Sequence, residues 1–205
     1  MSKGVILSRS FYARPTLRVA RDLIGKVLVH DTRAGVASGI IVEAEAYIGE
    51  SDPACHAAPG PTKRNAPLYG SPGVAYVYLN YGIHHLVNAV TEVEGSPAAV
   101  LIRALEPKDG IALMRRRRAG ARQTSAIPVD DLCRGPGNLT KALGITLAQN
   151  GRDLTDGALR IEDQQDGKRP VRWSRRIGIN VGVEQEWRVT AVDSRALSGR
   201  RSKKL

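Results

Sequence analysis

Alternation of apolar and polar residues predicts a chain built mainly of β-strands. The runs KVLVH, ASGIIVEAEAYI and VAYVYL follow the two-residue period of a half-buried strand. The turn Asn80-Tyr81-Gly82 separates the third run from IHHLVNAV, which is typical of a β-hairpin. The predicted strands are Lys26–His30, Ala37–Ile48, Val74–Leu79, Ile83–Val90, Ala98–Leu105, Ala158–Glu162, Arg176–Val183 and Trp187–Val192.

Helical patterns are few and short. They cover Pro15–Leu23, Pro107–Arg118, which ends in four arginines, and Gly137–Leu143. Gly49–Gly73 is rich in proline, glycine and small residues and predicts a long loop, which in a compact chain is usually functional or disordered. The pattern predicts a single α+β domain over residues 1–205. We expect a largely antiparallel curved sheet with a few surrounding helices and a protruding β-hairpin.

Charge is distributed unevenly over the 205 residues. The chain has 31 Lys and Arg against 20 Asp and Glu, a net charge of +11, and all but +1 of this excess lies in residues 101–205. Arginine supplies 23 of the basic residues, and its planar donor fork fits phosphate. This composition favours a polyanionic partner, although a GC-rich coding bias would also place arginine on an ordinary solvated surface.

Cysteine content and hydropathy exclude several classes of protein. Cys55 and Cys133 are the only cysteines, which rules out a disulfide scaffold and a four-cysteine zinc site. These cysteines and the four histidines lack the spacing of zinc ligands. No run approaches the roughly 20 apolar residues of a membrane span, and the first residues do not resemble a signal peptide. We expect a cytoplasmic protein without membrane association, and a frayed basic tail over about 198–205.

One aromatic residue occupies an unusual position. Five of the six tyrosines lie between positions 47 and 81, where most are compatible with ordinary strand positions. Tyr81, however, lies in the turn between two strands, where a large ring faces water. A side chain that slides between base pairs explains this position. A ring that folds back onto the sheet is the alternative.

Glu43 and Glu45 are the candidate catalytic carboxylates. They lie two residues apart on a predicted strand and therefore on the same face. Side chains that project side by side do not flank a scissile bond, which disfavours a carbohydrate hydrolase using the pair. One of them acting as a general base towards water is a second interpretation, and a solvent-facing strand edge is a third.

The turn Arg134-Gly135-Pro136-Gly137 leads into a predicted helix, where free N–H groups could hold a phosphate. The turn also resembles the hairpin of helix-hairpin-helix DNA proteins, with Asp153 or Asp156 as a catalytic acid. That fold is all-helical, and the predicted strands argue against it.

Several sequence blocks occur together in one order. They are Glu43-Ala44-Glu45-Ala46-Tyr47-Ile48-Gly49, His56, Thr62-Lys63-Arg64-Asn65, Tyr76-Val77-Tyr78-Leu79-Asn80-Tyr81-Gly82, Asn88, Leu101-Ile102-Arg103-Ala104-Leu105-Glu106-Pro107 and Cys133-Arg134-Gly135-Pro136. In this order they closely resemble the 3-methyladenine (alkyladenine) DNA glycosylase family, from about residue 5 to about residue 190.

The resemblance implies a monofunctional DNA glycosylase that needs no metal or cofactor. Such an enzyme flips alkylated or otherwise damaged purines out of double-stranded DNA and hydrolyses the N-glycosidic bond, leaving an abasic site for base excision repair. The activity requires only a monomer. A basic nucleic-acid-binding module without catalysis is the main alternative.

The resemblance also assigns residue roles. Glu45 is the expected general base, Arg103 helps to hold the water and Glu45, and Tyr81 fills the gap left by the flipped nucleotide. The expected base pocket consists of Tyr47, His56, Tyr78 and Asn88, of which Asn88 crowds the purine 2-amino position. The candidates for phosphate contacts are Lys63, Arg64, Arg134, Gly135 and Gly137.

Overall fold

The structure is a computed structural model that describes residues 4–119, 127–164 and 167–199. Within these ranges the chain forms nine strands and four α-helices. The strands are β1 (Val5–Ile6), β2 (Val27–Thr32), β3 (Gly35–Ile48), β4 (Ala75–Asn80), β5 (His84–Val90), β6 (Ala98–Pro107), β7 (Leu159–Asp163), β8 (Val171–Ser174) and β9 (Arg188–Ala191). The helices are α1 (Arg9–Tyr12), α2 (Thr16–Leu23), α3 (Ile111–Ala119) and α4 (Pro136–Leu143).

All nine strands join one sheet, and every pairing is antiparallel. The main path runs β1-β7-β2-β3-β6-β5-β4, while β9 pairs with β3 and β8 pairs with β9. The 14-residue strand β3 is central: β6 lies along one of its edges, and β2 and then β9 lie along the other. The predicted α+β fold with a curved antiparallel sheet is confirmed.

The period-two alternation of the strands gives the sheet two different faces. On one face, Val42, Ala44 and Ala46 of β3 join the main hydrophobic core together with the apolar sides of α2, α3 and α4. The neighbouring residues Glu43 and Glu45 are also buried, on the opposite face. The other strands that contribute to this opposite face supply Tyr76, Tyr78, Leu86, Asn88, Leu101 and Arg103.

Two predicted elements differ from the structure. The helix predicted from Pro107 begins at Ile111, because Gly110 has a φ of 78° and a Cβ there would lie 2.3 Å from the Val36 carbonyl oxygen. The strand predicted at Arg176–Val183 is wrong. Gly178 and Gly182 have φ values of 79° and 58°, which break extended backbone, and the segment is irregular.

Ser198, where the predicted frayed tail begins, contacts Glu43, and fraying of the tail stays a prediction. Ser198 is half-buried and its backbone N–H donates to Glu43 at 2.5 Å. Residues 200–205 of the predicted tail lie outside the described residues. In the described part of the chain, no helix has the length and apolar character needed to cross a bilayer.

Candidate active site

Glu45 is fully buried and accepts hydrogen bonds on both carboxylate oxygens. The Tyr47 hydroxyl and Arg103 Nη1 donate to Oε2 at 2.9 and 3.0 Å, and the Ile177 N–H donates to Oε1 at 2.9 Å. Burial raises the pKa of the Glu45 carboxyl above its ordinary value, and these donors do not fully offset that effect. The nearby Glu43 charge raises it further. Glu45 therefore has more affinity for a proton than an exposed glutamate.

Glu43 is equally buried but lies among cations and donors. Arg188 Nε, Arg103 Nε and Ser198 Oγ donate to Oε1 at 2.8, 3.1 and 2.7 Å. Burial opposes ionisation, but the charges of Arg188 and Arg103 and the Ser198 hydrogen bond outweigh it, so the pKa of Glu43 lies below its ordinary value. Glu43 is thus held as a carboxylate. The third interpretation of the pair, a solvent-facing strand edge, is wrong.

Arg103 connects both carboxylates to the cavity in front of them. Besides contacting Glu43 and Glu45, its Nη1 donates to the Ile177 carbonyl at 3.3 Å and its Nη2 to Ser198 Oγ at 3.3 Å. Its side chain also lines the cavity. The structure therefore brings the two predicted catalytic residues, Glu45 and Arg103, into direct contact.

The cavity has a volume of about 320 Å³, and its lining includes five aromatic rings, those of Tyr47, His56, Tyr76, Tyr78 and Tyr81. The His56 ring lies 4.4 Å from the Tyr78 ring between centroids, and His56 Nδ1 lies 2.8 Å from the Tyr76 hydroxyl oxygen. Burial, reinforced by the charge of Arg64, lowers the pKa of His56, which favours the neutral imidazole. All four residues predicted for the base pocket, Tyr47, His56, Tyr78 and Asn88, line this cavity.

Asn88 is held at the wall of the cavity. Its Nδ2 donates to the Tyr76 carbonyl at 3.0 Å, across the β4–β5 pairing in which Tyr76 faces Asn88. The side chain is therefore oriented by the sheet itself.

Tyr81 occupies the tip of the β4–β5 hairpin and borders the cavity. Its side chain is 84% exposed, and its φ of 48° places a non-glycine residue in the left-handed region. The alternative of a ring folded back onto the sheet is wrong. The hairpin presents this ring to solvent beside the mouth of the cavity.

The residues predicted to bind phosphate occupy different environments. Lys63 and Arg64 are exposed on the long loop, and the Arg64 guanidinium carbon lies 5.6 Å from the Tyr78 ring centroid. Arg134 is already engaged, since its Nε lies 2.8 Å from Asp131 Oδ1 and its Nη2 donates to the Arg195 carbonyl.

Gly135 and Gly137 shape the start of α4 beside the hairpin. Gly135 precedes the helix with a φ of 92°, and a Cβ at Gly137 would lie 2.9 Å from the His84 ring. These glycines allow α4 to pack closely against the hairpin. Phosphate binding at all five positions stays a prediction.

Sequence reasoning missed three contributors to the site. Ile177 supplies backbone groups to Glu45 and Arg103, Ser198 supplies donors to Glu43, and Tyr76 contacts His56. Tyr76 lies two residues before Tyr78 on the same strand face, so the spacing of tyrosines was a usable signal. Ile177 acts through its backbone groups, and Ser198 meets Glu43 across 155 residues, so the sequence carries no signal for either.

Sequence reasoning also missed a buried ion pair that contacts the lining of the cavity. Arg176 Nη1 and Nη2 lie 2.6 and 2.8 Å from the two carboxylate oxygens of Asp52, and both side chains are fully buried. The guanidinium carbon lies 4.7 Å from the Tyr47 ring centroid and 5.1 Å from that of Trp187.

The alternative chemistries find no support in this geometry. A helix-hairpin-helix fold is wrong, because Asp153 lies in a chain organised around a nine-stranded sheet, where it pairs with Arg9 and Thr155. Glu43 and Glu45 share one arginine instead of flanking a gap, as a carbohydrate hydrolase using the pair would need. Among residues 4–119, 127–164 and 167–199, no three His, Cys, Asp or Glu side chains cluster to hold a metal ion.

The arrangement suits hydrolysis next to a planar group. Aromatic rings can hold such a group, and the buried carboxylate behind them can take a proton from water. These features are compatible with an N-glycosyl hydrolase that acts on a nucleobase.

Comparison with known proteins identifies the family. The model of the family described as "Methylpurine-DNA glycosylase (MPG)" matches residues 10–195, so the chain belongs to this family and is a DNA glycosylase, a hydrolase of N-glycosyl bonds. The resemblance inferred from the sequence blocks is thereby confirmed.

Several relatives are described as "Putative 3-methyladenine DNA glycosylase", and three of them illustrate the similarity. The chain is 46% identical to that of Chlorobium phaeobacteroides (strain BS1), with 97% of this chain and 98% of the relative covered. It is 48% identical to that of Rubrobacter xylanophilus, with 87% and 93% covered. It is 47% identical to that of Methanocella arvoryzae, with 95% and 96% covered.

Proposed function

We propose that this chain flips N-alkylated purines out of double-stranded DNA and hydrolyses their N-glycosidic bond, leaving the phosphodiester backbone intact. The observation that carries the proposal is the placement of Glu45. It is a buried carboxylate with a raised pKa that accepts hydrogen bonds from Tyr47 and Arg103. Both of these side chains line the cavity with its aromatic rings.

The cavity suits a cationic purine. Alkylation at N3 or N7 gives the base a positive charge, and Tyr47, Tyr76 and Tyr78 offer ring faces that attract cations by about 0.5–2 kcal/mol each. A neutral His56 adds no repulsion. A normal purine lacks this charge, and Asn88 supports further selection by crowding the position of a guanine 2-amino group.

Hydrolysis needs one water and no cofactor. Glu45 takes a proton from the water as its oxygen bonds to the sugar C1′. The electron pair of the breaking C1′–N bond passes to the purine ring and neutralises its charge, so the base leaves without further protonation. Arg103 orients Glu45 and the water and limits the cost of keeping a carboxylate buried.

Base flipping supplies access to C1′, which an enzyme cannot reach in a stacked duplex. Tyr81 fills the gap left by the extruded nucleotide, and its exposure at the hairpin tip supports this role. Lys63, Arg64 and the N–H groups near Gly135 and Gly137 bind the flanking phosphates. The chain works as a monomer in the compartment that holds the chromosome.

The proposal is tested with N-methylated duplex DNA in the presence of EDTA. Free bases are separated by chromatography, and strand breaks are scored before and after alkali. We expect release of 3-methyladenine or 7-methylguanine, with breaks only after alkali. Tight DNA binding without released base, across several lesions, would instead establish a binding module without catalysis.

The role of Tyr81 is tested separately with Tyr81→Ala. Loss of stacking weakens the capture of a lesion in duplex DNA by about 1–3 kcal/mol. Release from an already unpaired lesion should change far less, because no gap has to be filled. An equal loss on both substrates would make Tyr81 a residue of the fold and not of flipping.

A further inference from the structure

The Arg176–Asp52 ion pair links two parts of the chain that are 124 residues apart. Asp52 begins the loop segment that carries Ala54, Cys55 and His56 along one side of the cavity. Arg176 begins the irregular segment that carries Gly178 and Ile179 along another side. One salt bridge therefore joins the two segments that form these walls of the base pocket.

Each partner of this pair is also tied to the surrounding backbone. Arg176 donates to the carbonyls of Ala46 and Gly182 at 3.1 and 3.0 Å. Asp52 accepts from the N–H groups of Ile48 and Ala54 at 3.2 and 3.1 Å. Nearly every polar contact of the pair thus holds a segment next to the catalytic strand or the pocket.

Two of the three donors to Glu45 depend on the same arginine. Its guanidinium packs against the ring of Tyr47, whose hydroxyl donates to Oε2 of Glu45. Arg176 also directly precedes Ile177, whose N–H donates to Oε1 and whose carbonyl accepts from Arg103. Arg176 itself does not line the cavity. Among the hydrogen bonds of the described residues, none joins Arg176 to Glu45.

Stability does not account for the pair. Taking a carboxylate and a guanidinium fully out of water costs about as much as their attraction returns, and apolar replacements are often neutral or stabilising. The contact of Arg176 with the Tyr47 ring, and the connections of the pair to both cavity walls, account for it better.

We propose that Arg176, held by Asp52, is a positioning residue that sets the hydrogen-bonding geometry of Glu45. The inference rests on the proposed function in that Glu45 is taken as the general base. Arg176 keeps Tyr47 and the Ile177 backbone in place, and these in turn orient the carboxylate for attack on C1′.

The test compares R176K with R169K. Lysine keeps the positive charge but lacks the planar fork that reaches Asp52, Ala46 and Gly182 together. Arg169 is a matched control because it forms a similar two-contact pair with Glu106, at 2.8 and 3.2 Å, and does not line the cavity. Each variant is assayed for lesion-DNA affinity and for single-turnover release of 7-methylguanine across pH.

A misplaced general base predicts a specific pattern. R176K should lose about 10²-fold in single-turnover rate with little change in DNA affinity. As the pH is lowered, the rate of R176K should also begin to fall at a higher pH than the rate of the parent. The reason is that the Ile177 N–H and the Tyr47 hydroxyl no longer favour ionised Glu45, so the pKa of Glu45 rises. R169K should match the parent in rate and in pH dependence.

Two results would overturn the inference: R176K with the rate and pH dependence of the parent, or R169K with the same losses as R176K. If R176K does not fold, D52N replaces it, with the same expected direction and a smaller loss.

A direct titration separates this inference from the proposed function. Carbon-13 NMR of the Glu45 carboxyl, assigned with E45Q, reports its pKa without any reaction. If the parent releases no base, the proposed function fails, yet a higher Glu45 pKa in R176K than in R169K would still support positioning. An unchanged Glu45 pKa would overturn it.

Discussion

The surroundings of Glu43 and of Glu45 differ sharply, although the two side chains lie on the same strand, on the same face, and share Arg103. Glu43 lies among two arginines and the C-terminal segment, and its pKa is lowered. Glu45 has one arginine and two neutral donors, and its pKa is raised. Two arginines and the Ser198 hydroxyl therefore hold Glu43 in its charged form, whereas burial and the charge of Glu43 keep Glu45 basic.

The difference suggests a division of tasks. Glu43 neutralises the charges of Arg103 and Arg188 and accepts a hydrogen bond from Ser198. These contacts hold the C-terminal segment against β3. Glu45 shares Arg103 but lies directly behind the cavity, next to Tyr47. Substitutions that remove one partner at a time test this difference between Glu43 and Glu45.

Glu45→Gln gives the largest expected effect. Loss of the proposed general base is expected to lower the single-turnover rate of base release by about 10²- to 10⁴-fold, while binding to lesion DNA is retained. Gel-shift affinity and chromatographic base release measure the two quantities. A variant as active as the parent would remove Glu45 from the chemistry.

Glu43→Gln gives the second-largest expected effect, which is a loss of folding stability. Removing this charge leaves Arg103 and Arg188 without their buried partner and lowers the free energy of unfolding by about 3–5 kcal/mol. Urea unfolding measures the loss. Glu45→Gln is the matched control and should cost less, because burial already disfavours the charged form of Glu45. Equal losses would erase the difference between the two environments.

Ser198→Ala tests the anchor on the Glu43 side. It removes the hydroxyl contacts to Glu43 and Arg103 but leaves the backbone N–H contact. A hydrogen bond to a charged group is worth about 1.5 kcal/mol at the low end, and we expect a loss of about this size in urea unfolding. Ser194→Ala, on the same C-terminal segment, is the control. No loss at Ser198 beyond that control would limit the anchor to the backbone.

The pH dependence of stability gives the smallest effect, at most about 1.4 kcal/mol per pH unit for each group. Stability contributed by Glu43, whose folded pKa is lowered, is present above its unfolded pKa and is lost as pH falls through the folded pKa. Stability contributed by Glu45, whose folded pKa is raised, is present below the unfolded pKa and is lost as pH rises through the folded pKa.

Unfolding free energies of the parent, E43Q and E45Q between about pH 3 and about pH 8, a window that contains the usual glutamate pKa of about 4.3, measure these two slopes. E43Q should flatten the acid loss of stability, and E45Q should flatten the decline towards neutral pH. Slopes of the same sign would contradict the opposite pKa shifts.

Local spacing made much of the site predictable. The two-residue period places Glu43 and Glu45 on one face, and the short turn at Tyr81 predicts the hairpin and its exposed ring. The family blocks then identify Glu45 and Arg103 as a pair. The first two inferences follow because neighbours in sequence have a geometry that backbone chemistry largely determines. The pairing of Glu45 with Arg103, across 58 residues, came from the resemblance alone.

Contacts between distant parts of the chain were not predictable. Ile177, Ile179, Val181 and Val183 alternate with other residues as in a strand, yet the segment is irregular because Arg176 is drawn to Asp52 and two glycines have left-handed φ values. Ser198 likewise meets Glu43 across 155 residues. The local sequence pattern near Arg176 and Ser198 does not indicate that either residue has such a distant partner.

The central position of β3 has a consequence for how such an enzyme can change. At Glu45 the strand is paired on both edges, with β6 and β9, so its amides exchange with solvent only when the sheet opens. Part of the pocket wall instead comes from the irregular segments 49–73 and 175–187. Exchange of these loops would alter the repertoire of accepted bases, and it would also disturb Glu45, because the loops carry Asp52, Arg176 and Ile177. Substrate range and chemistry are therefore coupled heritable traits of this fold.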